Sequence, residues 1–128
     1  MAQKKVLLVE DEDNIALALG YLIGKQGYEM HRVADGDAAL TAVEEHKPDL
    51  VVLDVMLPGR SGYEVCQVIR RDPALNNMRI LMMTARGGEV ERRKGLALGA
   101  DAFMTKPFSA KDLAAKIDEL LSGGVADG

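Results

Sequence analysis

The feature that most constrains this chain is a set of five short runs with strand character. Val6-Leu7-Leu8-Val9, Leu50-Val51-Val52-Leu53, Ile80-Leu81-Met82-Met83 and Ala102-Phe103-Met104 are continuously apolar, while Glu29-Met30-His31-Arg32-Val33 is mixed and suits an edge strand. A strand with one wet face alternates polar and apolar residues. Continuous apolarity means burial on both faces, the condition of a parallel sheet covered by helices. Helix-length segments lie between the runs. Ile15, Leu19, Leu22 and Ile23 are spaced i, i+4, i+7, i+8, and Leu113, Ile117, Leu120 and Leu121 repeat that spacing. Gly27 ends the first helix and the Lys47-Pro48 step ends the second. Gly62 opens a third that runs through Arg70-Arg71 to Asp72-Pro73, and a fourth follows Gly87-Gly88 and closes at Gly99. Ser109 with Asp112 forms a variant capping box for the fifth. Strand and helix alternate five times, which predicts an α/β fold: a parallel sheet with helices on both faces. The 128 residues make one domain, expected over 1–122, with 123–128 as a flexible tail or the start of a linker.

Composition narrows the function classes. With 48% hydrophobic and 28% charged residues the chain buries enough apolar surface to fold. Its uninterrupted apolar runs are far shorter than the ~20 residues of a membrane span. Met1-Ala2-Gln3-Lys4-Lys5 leads directly into the first strand, so no cleavable leader and a cytoplasmic location are expected. Cys66 stands alone, excluding a disulfide framework, and no Cys/His cluster offers a zinc site. A net charge of −4, from 16 basic and 20 acidic residues, argues against direct nucleic-acid binding.

In a sheet of this kind, ligands bind outside the carboxyl ends of the strands. Glu10-Asp11-Glu12-Asp13 follow the first strand, Asp54 ends the third, Thr84 ends the fourth, and Lys106-Pro107 follow the fifth. Each has an ordinary explanation alone: Asp11 or Asp13 as a helix N-cap, Asp54 as a turn residue, Thr84 as a strand former, Lys106 as a solvated loop. Packing gives no reason to gather all of them at one sheet edge. Two carboxylates 4 Å apart repel by ~1 kcal/mol in water and ~4 kcal/mol at an effective dielectric of 20. Lys106 offsets one charge of Glu10, Asp11 and Asp54, and a divalent cation offsets the rest. Oxygen-only ligands indicate Mg2+. Such a site attracts a phosphoryl group, with Asp54 as carboxylate nucleophile and Lys106 and Thr84 as partners of the transferring oxygens.

These residues carry a resemblance. Val9-Glu10-Asp11-Glu12, Leu53-Asp54-Val55-Met56-Leu57-Pro58-Gly59, Met83-Thr84-Ala85, Gly99-Ala100-Asp101-Ala102-Phe103 and Lys106-Pro107-Phe108 resemble the response-regulator receiver domain of bacterial two-component systems, over residues 4 to about 121. The resemblance implies a flavodoxin-like, doubly wound sheet of five parallel strands in the order 2-1-3-4-5 with five helices. It implies that Asp54 takes a phosphoryl group from the phosphohistidine of a sensor histidine kinase, without turnover of an outside substrate. Glu10 and Asp11 match the acidic pair that holds Mg2+, and Met56 the position whose backbone carbonyl completes the metal shell. Thr84 matches the switch hydroxyl, Lys106 the lysine that pairs with phosphate through a cis bond to Pro107, and Phe103 the aromatic switch. The face of the fourth helix, fifth strand and fifth helix then controls a downstream protein or a missing C-terminal effector domain, and it can form a homodimer; Ala102 departs from the second acid common in the class that dimerises there. Gly87 and Gly88 give backbone latitude where the fourth helix starts. Met56 and Arg86 occupy positions that tune autodephosphorylation, and their bulk predicts a slow to moderate rate.

Two other readings use the same features. Aspartate-based Mg2+-dependent phosphatases of the haloacid dehalogenase type place a second acid two residues past the nucleophile; here that residue is Met56. A flavin or nucleotide site wants a Gly-rich or hydroxyl-rich loop after the first strand, where four acids stand instead. Leu17 and Tyr21 lie off the apolar stripe of the first helix and are candidates for a kinase-docking patch. His31 and His46 read as surface residues, Cys66 as core, and Arg92, Arg93 and Lys94 as a solvated helix face.

Overall fold

The computed structural model describes residues 3–85 and 88–126. In chain order the elements are β1 (Lys5–Val9), α1 (Asp13–Lys25), β2 (Glu29–Val33), α2 (Gly36–His46), β3 (Leu50–Asp54), α3 (Gly62–Arg71), β4 (Arg79–Thr84), α4 (Glu89–Ala97), β5 (Ala102–Thr105) and α5 (Ala110–Ala126). The strands form one parallel sheet in the order β2-β1-β3-β4-β5. This is the parallel α/β sheet that the residue pattern predicts, in the doubly wound order that the resemblance implies. No helix among the described residues is long and apolar enough to cross a membrane.

The period-two geometry of a strand divides the apolar runs between two cores. Leu7, Val9, Val51, Leu53, Ile80 and Met82 point to one face and pack with α2 and α3 residues such as Val43, Val65, Cys66 and Ile69. Val6, Leu8, Leu50, Val52, Leu81 and Met83 point to the other, against Leu19 and Ile23 of α1 and Leu113 and Ile117 of α5. The mixed β2 and the short β5 are the sheet edges, and no residue of either is fully buried.

The helix limits mostly follow the punctuation in the sequence. Gly27 lies past the end of α1 at φ +98°, where a side chain would be strained. Lys47 closes α2 in the left-handed region at φ 49°. Three details differ from expectation. Neither Asp11 nor Asp13 caps α1: the N-cap is Glu12, with no side-chain bond, and Asp13 instead meets Arg32 at 3.0 Å. The Ser109–Asp112 box is half formed in the described bonds, the Asp112 amide donating to Ser109 Oγ at 3.0 Å. Helix α5 continues past residue 122 to Ala126. Each Gly costs a helix about 1 kcal/mol, but propagation adds a backbone bond per residue, and Ser122 Oγ donates to the Asp118 carbonyl at 2.6 Å. Arg86 and Gly87, and residues 127 and 128 of the expected tail, lie outside the described residues, as do Met1 and Ala2.

His31 and His46 are more enclosed than expected. Their rings stack at 3.9 Å, and His31 Nε2 lies 2.6 Å from Glu29 Oε2. Cys66 is buried and free, as expected, with its thiol held above the ordinary range by burial. Arg93 and Arg92 form exposed ion pairs with Glu89 on a solvated face of α4.

Candidate functional site

The sheet delivers its polar residues to one edge because β1, β3 and β4 run parallel and in register. Val9 pairs with Leu53, and Asp54 with Met83, so Glu10, Asp54 and Thr84 emerge side by side. All three are buried. The Glu10 amide continues the ladder to Val33 at 3.1 Å, and Arg32 donates through Nε and Nη2 to the Glu10 carbonyl at 3.0 and 2.8 Å. Helix α3 closes over the far side of Asp54. A side chain at Gly62 would lie 2.4 Å from the Asp54 carbonyl oxygen, so only glycine lets the helix approach this closely.

Lys106 reaches in from the loop after β5. Its Nζ donates to Glu10 Oε1 at 2.9 Å and to Asp54 Oδ2 at 3.0 Å. Its own amide donates to the Thr84 carbonyl at 2.8 Å, and the bond to Pro107 is cis, as expected. The second oxygen of each carboxylate takes a backbone amide: Met56 N to Asp54 Oδ1 and Glu12 N to Glu10 Oε2, both at 3.1 Å. Asp11 is exposed, yet ligand-capable oxygens of Glu10, Asp11 and Asp54 all lie within 4.8 Å of one another.

One ammonium therefore serves a cluster of three acids, and the charge does not balance. Burial pushes the Glu10 carboxyl up, its bonds to Lys106 and the Glu12 amide pull it down, and the neighbouring Asp54 charge pushes it up again; the outcome lies above its ordinary value. Burial works against the Lys106 charge, but its bonds to Glu10 and Asp54 outweigh that and hold it above the ordinary lysine value. The remaining negative excess suits a hard cation, and a donor set of oxygens alone fits Mg2+.

Of the residues expected at the site, the structure brings Glu10, Asp54 and Lys106 into direct contact, Asp11 within 4.8 Å of both carboxylates, and Thr84 to the adjacent strand end. Met56 contributes its backbone at Asp54 while its side chain is 58% exposed, so nothing acidic stands where a phosphatase would place its acid/base group. Phe103 lies apart from the carboxylates on β5, paired with Met82 and half-buried. Leu17 and Tyr21 are exposed on α1, as expected. An apolar cavity of about 540 Å3 opens beside Lys106, lined by residues including Ile15, Leu19, Pro107 and Phe108. Two residues that sequence reading passed over support the site: Arg32, whose only signal is an arginine in an edge strand, and Gly62, which reads equally as a helix start.

Comparison with known proteins agrees with this geometry. Residues 6–118 match the family described as the response regulator receiver domain. The chain is 43% identical over 117 residues to the phosphate regulon transcriptional regulatory protein PhoB of Rhizobium meliloti, covering 91% of this chain and 52% of that protein. It is 44% identical over 122 residues to the sensory transduction protein RegX3 of Mycobacterium tuberculosis, covering 95% and 52%. It thus spans about half the length of these relatives. Among solved structures, a putative response regulator from Chloroflexus aurantiacus superposes with a TM-score of 0.90 at 33% identity, covering 94% of this chain and 99% of that one. The chain belongs to the receiver-domain family of two-component response regulators.

Proposed function

We propose that Asp54 accepts a phosphoryl group from the phosphohistidine of a sensor histidine kinase in a Mg2+-dependent reaction. The observation that carries this is the shared Lys106 ammonium bridging Asp54 and Glu10, with Asp11 completing an oxygen-only cluster. Glu10, Asp11 and Asp54, with the Met56 carbonyl, would hold the cation; when bound it supplies positive charge for the transferring oxygens. An Asp54 carboxylate oxygen attacks phosphorus, the P–N bond breaks, and the imidazole leaves carrying a proton. Lys106 holds Asp54 oriented before transfer and pairs with a phosphoryl oxygen afterwards, and the Thr84 hydroxyl moves toward the new charge. Phosphorylation adds about 1.5–2 negative charges. The rearrangement passes through Thr84 and Phe103 to the α4, β5 and α5 face, which controls a downstream partner or forms a homodimer.

Since the relatives are twice as long and PhoB is named a transcriptional regulator, we assign the output to a further domain or a separate protein, beyond a receiver whose last helix reaches Ala126. Exposed Leu17 and Tyr21 on α1 serve kinase docking. The test is intact mass after incubation with acetyl phosphate, with and without Mg2+, beside Asp54→Asn. A single Mg2+-dependent phosphoryl adduct, absent from the variant, is expected; no adduct from wild type overturns the reading.

A further inference from the structure

We propose that Gly95 is a positioning residue: the missing side chain at 95 forms the notch in which the Phe103 ring rests, and its size sets how readily α4 rearranges when Asp54 is phosphorylated. The inference deepens the receiver reading and rests on it.

Gly95 is the one buried residue of α4. Glycine is a poor helix former, and its backbone here is not in the left-handed region, so conformation gives no reason for it. Packing does. A Cβ at 95 would lie 2.9 Å from Met82 Sδ and 3.0 and 3.1 Å from Cδ2 and Cε2 of Phe103. Met82 is wholly enclosed, whereas Phe103 is half-buried on the edge strand β5 and has solvent to move into. Added bulk at 95 therefore displaces the ring outward or lifts the helix. Only moderate contacts resist the lift: Leu96 packs partly buried against the core, and the rest are exposed ion pairs and the Lys94 ammonium over the Tyr63 ring at 4.3 Å. A residue that biases this equilibrium biases phosphorylation by the same factor, since the two are thermodynamically linked.

The chain has two phenylalanines, so 3-fluorophenylalanine labelling gives two 19F resonances, assigned with Phe108→Leu. In Gly95→Ala the Phe103 resonance is expected to move from its wild-type position while the Phe108 resonance stays. The affinity for beryllofluoride in Mg2+, an equilibrium readout, should change at least about fivefold, the lower end of ordinary coupling between sites, and Phe103→Leu should abolish that change. Melting temperature supplies a sign test: Gly95→Ala lowers it with Phe103 present and raises it in Phe103→Leu, where helix propensity alone remains. An unmoved Phe103 resonance, or the same melting shift in both backgrounds, overturns the inference. Should Gly95→Ala not fold alone, folding of the double variant upholds the contact and its failure overturns it. If wild type takes no phosphoryl group, the receiver reading fails instead, while the melting comparison still tests the Gly95–Phe103 contact.

Discussion

Helices α3 and α4 lie on the same face of the sheet and are held there by different means. Helix α3 buries Gly62, Val65, Cys66 and Ile69, starts with a complete capping box between Ser61 and Glu64, and carries in its last turn an arginine that uses all three of its nitrogens. Arg70 donates to the carbonyls of Gly99, Asn76 and Met78 and pairs with Asp101 at 2.8 Å, tying the end of α3 to the loops that enter β4 and β5. Helix α4 buries Gly95 alone, starts at Gly88 without a side-chain cap, and carries its charges on the wet side. The pair separates frame from moving part. The element pressed against Asp54 is locked, so the carboxylate keeps its place, while the element beside Phe103 is left loose enough to answer what happens there.

The sharpest way to break this comparison is to empty the core under each helix. Ile69→Ala should cost about 2–5 kcal/mol through lost transfer energy and the cavity left behind. Leu96→Ala, at the partly buried leucine by which α4 meets the same core, should cost only about 1–1.5 kcal/mol. Urea denaturation of both variants checks the contrast, and equal costs would mean that α4 is anchored like α3. Arg70→Ala comes next, at about 2–3 kcal/mol, because it leaves several carbonyls and the Asp101 carboxylate short of a partner. Its unfolding midpoint should fall more than that of Arg93→Ala, which loses only an exposed pair.

The helix starts provide a smaller test in opposite directions. Ser61→Ala removes the capping box and should cost about 1 kcal/mol. Gly88→Ser adds a cap where none exists and should gain a few tenths of a kcal/mol. Thermal melts check both signs, and a gain at 88 as large as the loss at 61 would show that capping separates the two helices more than burial does.

The parallel sheet and the polar residues at its binding edge were legible because they depend on signals local in sequence, whereas the strand order came from the family resemblance. Continuous apolar runs mark buried strands, and the residue after each run falls at the binding edge whatever the packing. Contacts across sequence leave no such mark. Arg70 reads as one of two basic residues at a helix end, and nothing nearby says that its partners lie at 76, 78, 99 and 101. The stacking of His31 on His46 joins an edge strand to the end of a helix 15 positions away. Gly95 is indistinguishable from a weak helix position until Met82 and Phe103 are placed under it. The Ser61-x-x-Glu64 box is a different case, since its signal lay in the sequence beside a glycine that also explained the helix start. The acids after β1 offered too many candidates for one cap, and the structure uses none of their side chains for it.

The smallest expected effect lies where the two helices meet. The Tyr63 hydroxyl is buried and has no hydrogen-bond partner among the described residues, while its ring lies beneath Lys94 of α4. Burial, and then the charge of Glu91, hold its phenol above the ordinary value of 10.0. The folded protein thus binds the phenolic proton more tightly than the unfolded chain. The resulting stability is fully present below the ordinary phenol value and is lost as the pH rises toward the folded value. Tyr63→Phe keeps the ring and removes both the unpaired hydroxyl and this titration. At neutral pH it should shift stability by no more than about 0.5 kcal/mol, toward greater stability, since no hydrogen bond is given up. Above pH 10 the variant should lose stability less steeply than wild type, with a remaining decline from Tyr28, whose phenol is pushed up to about 12 by burial and by its bond to Asp118. Urea midpoints between pH 8 and about 11 give both slopes. A variant destabilised at pH 7 would mean that the hydroxyl already binds α4, and the loosely held helix would then have an anchor.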